Sequence, residues 1–393
     1  MKQLILYIFS LLNYIYPKSK NKIIFISSPD FSDNSFALFK HMIENTKKKK
    51  NYTWLVDNIK DKELYLDMID KNISFTHEAL KQIQIIDKKS FSGMWIFIST
   101  KYIFFTHGFY TGMSLPKQQV RINLWHGMPL KAIGYLNKHG NDATIPKPSI
   151  VLATSELYQD IMGKVFKVAK EKILITGQPR CDLFWETQDI LKRFGIEKNK
   201  YQKVILWTPT YRYDKNYKIK DGIFNDTLPL LKEDDLIKLN SFLASIKSYM
   251  VIKLHPMDIL NTYSFDNFSN IKILKDNVFL HEGCQLYSLL SEIDILITDF
   301  SSIYIDFLLL DRPIIFAIDD FDEYTKTRDF VFQSPKDYMP GSLVDSTQSL
   351  IAILNDIIIN DNDLYTDKRK KIKKEFHKYE NSFSERLIKS LKL

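Results

Sequence analysis

The stretch DILITDFSSIYIDFLLLDRPIIFAI, Asp294 to Ile318, decides how the chain is read. An apolar run, Ile295 to Thr298, stops at Asp299-Phe300-Ser301-Ser302; an apolar-periodic segment follows, and a second run spans Ile314 to Ile318. That is the order strand, turn, helix, strand. In a parallel sheet such a turn lies at the carboxyl edge of its strand, where the next helix offers free backbone N–H groups and the positive end of its dipole. Ser301 and Ser302 suit helix-capping positions, and Asp306 falls one helical turn after Ser302 on the same face. The corner suits a phosphate or the diol of a ribose. A capped helix in an ordinary α/β domain accounts for it equally well.

Working outward, the same layout recurs in both halves. Lys22 to Ser28 reads as a strand and Ser35 to Thr46 as an amphipathic helix; Tyr52 to Asp57 is a second strand, with weaker candidates at Ile73 to Phe75 and Ile83 to Ile86. The helix-like Gly93 to Ser99 leads to a strand, Tyr102 to Thr106, that ends at His107-Gly108. Val120 to Trp125 ends at His126-Gly127-Met128-Pro129-Leu130-Lys131, with a helix expected from Pro129 because proline is tolerated in a first turn. Ile150 to Thr154 precedes a helix capped by Ser155, and Lys172 to Thr176 reaches Gly177-Gln178-Pro179-Arg180. After the polar stretch Lys192 to Lys203 a fresh series begins. Val204 to Trp207 ends at Thr208-Pro209-Thr210-Tyr211-Arg212, and a long loop, Asp214 to Thr227, has the length to fold over a ligand. Helix Asn240 to Tyr249, strand Val251 to Leu254 ending at His255-Pro256, strand Ile271 to Leu274 and helix Gln285 to Ile293 complete the approach to the opening segment. Ser346 to Ile359 and Leu364 to Tyr379 read as terminal helices, the last part placed to cross back to the first domain.

Strands alternating with helices predict mostly parallel sheets covered on both faces. The expected division is an apolar N-terminal segment over 1–20, a Rossmann-like domain over 21–195 and a second over 196–393.

Composition narrows the function. A chain of 393 residues, 45% hydrophobic and 26% charged, is globular and long enough for two cores. Its two cysteines, one in each half, form neither a disulfide framework nor a metal-ligand pattern, so a reducing cytoplasm is the default and no tightly bound metal is expected. The net charge of +8 favours an anionic partner. Much of that charge lies in plain lysine runs, Lys47 to Lys50 and Lys368 to Lys374, without aromatic interleaving or a nucleic-acid motif, so they read as solvated faces. Met1 to Tyr16 is apolar but short of the roughly 20 residues of a spanning helix, and Lys18, Lys20 and Lys22 follow it. It is either a helix buried against the first domain or one lying in the interface of an anionic membrane; the lysines favour the second.

Polar groups at strand ends raise the chain above a generic α/β protein. His126, Arg180, Arg212, His255, Asp299, Ser301 and Ser302 all sit where a strand runs out, and two sheets facing each other by their carboxyl edges would bring them into one cleft. A histidine held there accepts a proton from a hydroxyl at neutral pH. His107 shares the layout of His126, whereas His41, His77, His139, His281 and His377 read as structural residues. Arg180 and Arg212 would clamp phosphate oxygens, with Lys131 and Lys253 as point charges; basic groups without matching acids make a diphosphate the economical ligand.

These residues carry a resemblance. NLWHGMPLKAIG (Asn123 to Gly134), TGQPRCDLF (Thr176 to Phe184), TPTYR (Thr208 to Arg212), KLHP (Lys253 to Pro256), Asp294 to Tyr324, RDFVF (Arg328 to Phe332) and PGSLV (Pro340 to Val344) occur in the order seen in the CDP-glycerol:poly(glycerophosphate) glycerophosphotransferases. The chain resembles these TagF/TagB-like enzymes of teichoic acid and capsule synthesis from about residue 20 onward. The resemblance implies an α/β GT-B fold of two Rossmann-like domains facing across a cleft. It implies transfer of a polyol phosphate, glycerol phosphate first, from a CDP-polyol to a hydroxyl of a lipid-linked or glycan acceptor with release of CMP. The setting implied is peripheral, at the cytoplasmic face of the cell membrane. His126 would be the general base and His255 would bind or stabilise the diphosphate. Gly127, Met128, Pro129, Leu130, Lys131, Arg180, Thr208, Pro209, Arg212, Lys253, Asp299, Ser301, Ser302 and Asp306 would line the substrate site. Met128 stands where the family usually has threonine, and Asp329 where it has glycine. No cofactor is expected to be tightly bound, with room for Mg²⁺ on the diphosphate. The competing reading is a GT-B glycosyltransferase or epimerase acting on a nucleotide sugar.

Overall fold

Two parallel sheets organise the protein. The computed structural model describes all residues except 1, 46–49, 75–79, 109, 111–112, 139–144, 187, 211–212, 215–218, 221–227, 229, 232, 255–267, 276 and 328. The first lobe contains β1 (Ser19–Ile26), β2 (Asn51–Val56), β3 (Ile83–Asp87), β4 (Thr100–Phe105), β5 (Val120–Asn123), β6 (Ile150–Ala153) and β7 (Ile173–Ile175). They lie in the order β3-β2-β1-β4-β5-β6-β7, every pairing parallel. The second lobe contains β8 (Val204–Trp207), a small antiparallel hairpin of β9 (Tyr213–Asp214) and β10 (Ile219–Lys220), then β11 (Tyr249–Lys253), β12 (Ile271–Leu274), β13 (Ile295–Thr298), β14 (Ile314–Ala317) and β15 (Ser342–Val344). Its sheet runs β12-β11-β8-β13-β14-β15, again all parallel.

Both sheets carry the Rossmann order, in which the third, second and first strands lie on one side and the fourth onward on the other. The order reverses between β1 and β4 and between β8 and β13. Crossover helices diverge there, which leaves a crevice at the carboxyl ends of these strands. The central strands are apolar on both faces because helices cover both: Ile23 to Ile26 and Ile295 to Thr298 are buried throughout.

The lobes share a core. One buried apolar cluster takes in Met128, Leu130, Val151 and Phe184 from the first and Phe300, Ile303, Phe307 and Phe316 from the second. Antiparallel pairing also crosses between them: Lys131 bridges Phe330, Val331 N–H donates to Leu130 O at 2.9 Å, and Ala132 N–H donates to Asp329 O at 2.7 Å. This corrects the helix expected from Pro129. Backbone groups that a helix would pair locally are claimed by the 329–331 segment instead. After helix Thr366–Phe376 the chain returns to the first lobe, where Lys378 N–H reaches Thr154 O at 2.9 Å. Phe383 and Ser384 N–H both donate to the Asp182 carboxylate, at 2.9 and 2.8 Å, at the start of a final helix, Phe383–Leu391, that sequence reading missed.

Other differences are local. Ile73 and Ser74 are not in a strand, and Phe75 lies outside the described residues. The helix expected over Asn240 to Tyr249 runs over Glu233–Ser245, and Tyr249 opens β11. Within the basic tail, Arg369 is buried and bonded to the Asp363 carboxylate, so that run is not merely a solvated face.

Candidate active site

His126 emerges from a turn built around two unusual backbone positions. Trp125 adopts φ +53°, a conformation that costs a bulky residue about 1–3 kcal/mol, and Asn123 Oδ1 accepts its N–H at 2.9 Å. Gly127 follows at φ +133°, a region open in practice only to glycine. Between them the His126 ring lies parallel to that of His107, centroids 4.2 Å apart and planes 6° apart, and beside Trp125 at 4.0 Å. His126 Nδ1 is 3.2 Å from the backbone carbonyl of Thr106. A carbonyl only accepts, so Nδ1 carries the proton and Nε2 keeps its lone pair. Burial first, then the Arg180 and Lys131 charges, push the His126 imidazole down to about 4, with the Thr106 hydrogen bond opposing them. The ring is therefore a neutral acceptor at physiological pH.

The second lobe meets this turn at its serine corner. A Cβ placed on Gly127 would stand 2.9 Å from Ser302 Cβ and 3.0 Å from Arg180 Nη2, and closer still to Ser302 Oγ. Ser302 thus lies directly across from the histidine turn. The helix behind them, Ile303–Phe307, is short, and Ser302 makes no side-chain capping bond; Ser301 Oγ accepts the Ile303 N–H at 3.4 Å. Gly127→Ala should therefore force the lobes apart or strain the turn and lower turnover by about tenfold or more. Steady-state turnover checks this, and an alanine variant of parental rate would rule out close contact at the corner.

Behind the contact lies a buried ion network joining the lobes. Arg180 donates from Nε and Nη2 to Asp306 Oδ2 at 3.1 and 2.6 Å and from Nη1 to Asp33 Oδ1 at 2.8 Å, while its guanidinium lies 4.4 Å from the Tyr287 ring centre. Tyr287 Oη donates to the same Asp306 oxygen at 2.6 Å. Asn34 extends the network: its Oδ1 accepts the Arg180 N–H at 3.0 Å and its Nδ2 donates to Trp125 O at 2.8 Å, one residue before His126. A cavity of about 160 Å³ opens alongside, lined by Asp30, Asp33 and Arg180 from one lobe and Lys253, Gln285 and Tyr287 from the other.

The model of the CDP-glycerol:poly(glycerophosphate) glycerophosphotransferase family matches residues 8–392. The chain belongs to that family. Over 367 residues it is 26% identical to a teichoic acid poly(glycerol phosphate) polymerase of Bacillus spizizenii, covering 87% of this chain and 84% of that one. The poly(ribitol-phosphate) polymerase of the same species is also 26% identical, over 75% of this chain and 48% of the relative, so the chain spans about half of that longer protein. A Staphylococcus aureus teichoic acid glycerol-phosphate transferase is 27% identical over 60% of this chain and 61% of its own. Among solved structures, the wall teichoic acid polymerase TagF, in a variant soaked with CDPG, superposes at TM-score 0.75 with 19% identity over 98% of this chain and 91% of that one. A UDP-GlcNAc 2-epimerase from Neisseria meningitidis does so at 0.56 with 12% identity, over 94% and 99%. At such identities the likeness establishes the architecture alone, and the architecture is the α/β, two-lobed GT-B arrangement.

This glycerophosphotransferase-family enzyme is a polyol-phosphate transferase by membership, and its motifs now have positions. Gly127, Ser302, Arg180 and Asp306 are brought together beside His126, and Ser301 lies next to Ser302 at the start of its helix. Asp299 Oδ2 accepts the N–H and the hydroxyl of Thr210, both at 2.8 Å, and Thr208 Oγ1 lies 3.2 Å from Thr298 Oγ1. These residues brace the carboxyl ends of β8 and β13 against each other. Pro129 and Pro209 are buried, Lys131 is half-buried, and Lys253 lines the interlobe cavity. His255, Pro256, Arg212 and most of the 214–227 loop lie outside the described residues.

Three expectations change. Met128 and Leu130 are fully enclosed in the shared core, which removes their side chains from direct contact with a substrate. Arg180 is not a basic group without matching acids: it faces two carboxylates, its Nη1 bonded to Asp33 of its own lobe and its Nε and Nη2 reaching across to Asp306. Asp306 likewise faces Arg180 and Tyr287 rather than open cleft. Asp33, Asn34 and Tyr287 were missed, because two residues at one helix start and a third within another helix give no sign in sequence that they meet across two domains.

Proposed function

We propose that His126 is the general base for transfer of glycerol phosphate, or a related polyol phosphate, from a CDP-polyol to an acceptor hydroxyl. The observation that supports this reading is the Nδ1–H bond to the Thr106 carbonyl, which leaves Nε2 as a lone-pair acceptor in a turn that touches the serine corner. The acceptor oxygen attacks the β-phosphorus; its proton passes to His126 Nε2, and the bond to the bridging oxygen breaks, CMP departing with the electron pair. Ser301, Ser302 and Lys253 supply donors and charge for the diphosphate, and His255 is assigned to the same task on the strength of the family resemblance. Among the described residues no group of three His, Cys, Asp or Glu is placed to hold a metal ion; Mg²⁺ carried on the donor's diphosphate belongs to the proposal. Incubation with CDP-glycerol, with CDP-ribitol and with UDP-sugars tests the donor. CMP with a mass gain of one polyol phosphate on a lipid-linked acceptor is expected; UDP release would favour a nucleotide-sugar enzyme.

The acceptor is proposed to lie at an anionic membrane surface, on the cytoplasmic face. No helix among the described residues is long and apolar enough to cross a membrane. Helix Lys2–Ile15 docks on the first lobe through Phe9 and Asn13, and Asn13 Nδ2 donates to Ser114 O at 2.9 Å. Its other side presents Tyr7, Ile8, Leu11, Tyr14 and Ile15 to solvent, the last 79% exposed, beside exposed Phe91 and Trp95. An amphipathic surface of aromatic and aliphatic groups followed by lysines suits the headgroup region. Leu11→Glu with Ile15→Glu should reduce co-sedimentation with phosphatidylglycerol-containing vesicles by about tenfold or more, since each apolar group withdrawn from lipid forfeits one to three kcal/mol. Undiminished co-sedimentation would place the membrane contact elsewhere.

A further inference from the structure

We propose that His107 is a positioning residue for this reaction, its ring serving as the flat support that holds the His126 imidazole in the plane from which Nε2 takes the acceptor's proton. The inference rests on the reading of His126 as the base. Its own support is geometric. The two rings are stacked at 4.2 Å with 6° between their planes, closer to parallel than His126 and Trp125, which meet at 4.0 Å and 32°. A single buried residue serves both: the Thr106 hydroxyl lies 2.9 Å from His107 Nδ1, and the Thr106 carbonyl 3.2 Å from His126 Nδ1. Trp125 is itself packed edge-on against Phe166 at 5.0 Å. Turning the His126 ring about its outer bond would break the Thr106 bond and drive the ring edge into His107.

The stack also limits the charge that the pair can hold. Two imidazolium rings face to face repel each other, so the pair holds one proton at most. Burial, followed by the neighbouring His126, pushes His107 down to about 3, below His126 at about 4. The other charges that reach the pair are Asp33, which favours protonation of His107, and Lys88, Arg180 and Lys131, which oppose protonation of one ring or the other. With one proton on the pair, and that proton taken up by the His126 ring whose Nδ1 is held by the Thr106 carbonyl, His107 stays neutral in the step. No proton resides on His107 in the step; it acts through His126.

Steady-state CMP release from CDP-glycerol, measured for His107→Ala, His107→Asn and His107→Phe beside His126→Ala, tests the proposal. The Ala and Asn variants, which lack a ring, should lose about 10- to 100-fold in kcat with donor KM little changed, the scale expected for misplacement of a catalytic group. His107→Phe, which restores a flat ring, should recover most of that loss. The acid limb of the kcat profile should move upward in His107→Ala, because a His126 freed from the stack is better hydrated and titrates nearer 6.5. If the alanine variant does not fold, the Asn and Phe pair decides. The proposal is overturned if the Ala or Asn variant keeps parental kcat and an unmoved acid limb, or if Phe is as slow as Ala. Undiminished turnover by His126→Ala would instead remove the base itself, and the support for it with it.

Discussion

His126→Ala is expected to lose at least about a hundredfold in turnover, within the 10²–10⁴ range typical of positioned general bases, while CDP binding stays close to parental. The ring keeps an unprotonated Nε2 in a turn that touches the serine corner through Gly127, whereas the groups assigned to the diphosphate lie on the second lobe. Single-turnover rates with saturating CDP-glycerol, set beside calorimetric titration with CDP, separate the two effects. A variant of near-parental rate would exclude His126 from proton transfer. The pH dependence follows from burial, which holds His126 down to about 4. A base works while deprotonated, so the rate should be level through neutral pH and fall only as pH drops through that value. Stability has the same sign over a wider window. The unfolded chain takes up protons on His126 and His107 below about 6.5, while the folded rings resist until about 4 and about 3. The folded state therefore loses stability as pH falls from 6.5 toward 4, and thermal melts at each pH show how far down the rate profile can be followed.

Asp306→Asn should be the most destabilising substitution at the interface between the lobes. Its Oδ2 accepts from Arg180 Nε, Arg180 Nη2 and Tyr287 Oη, and all three residues are buried. Removing one partner of a buried, hydrogen-bonded ion pair costs about 3–5 kcal/mol where the other charge is left uncompensated, and Asp33, which still faces Arg180, lowers the loss below that range. The double variant Arg180→Met, Asp306→Leu should recover a large part of this, since it removes both charges and Asp33 lies nearer solvent. Urea unfolding of the three proteins checks the comparison, and a single variant within about 1 kcal/mol of the parent would show that the pair does not hold the lobes. Activity should fall with stability in Asp306→Asn, because Arg180 also connects through Asn34 to the Trp125 carbonyl beside the base.

Much of the architecture was legible before any coordinates. Strands that end in His-Gly, Gly-Gln-Pro-Arg, Thr-Pro-Thr or Asp-Phe-Ser-Ser alternate with amphipathic segments, and a buried parallel strand announces itself as an unbroken apolar run. The positions that failed share one cause. Pro129 to Ala132 has the local features of a helix start, yet its backbone is claimed by residues 329–331, about two hundred positions away. Arg180 carries the look of a phosphate clamp, yet its carboxylate partners come from the start of the helix after β1 and from a helix after β13. Met128 and Leu130 sit within a motif full of polar residues, yet they fill the shared core.

What the sequence by itself determined is the set of strand ends and the chemistry placed on them, because hydrophobic periodicity and turn residues act within a few positions of one another. Which of those groups face a substrate and which face each other was decided only when the lobes closed. Only in the folded chain does His126 come to rest against His107, and Arg180 between Asp33 and Asp306. Burial and charge pairing depend on neighbours distant in the chain, and no local pattern encodes them.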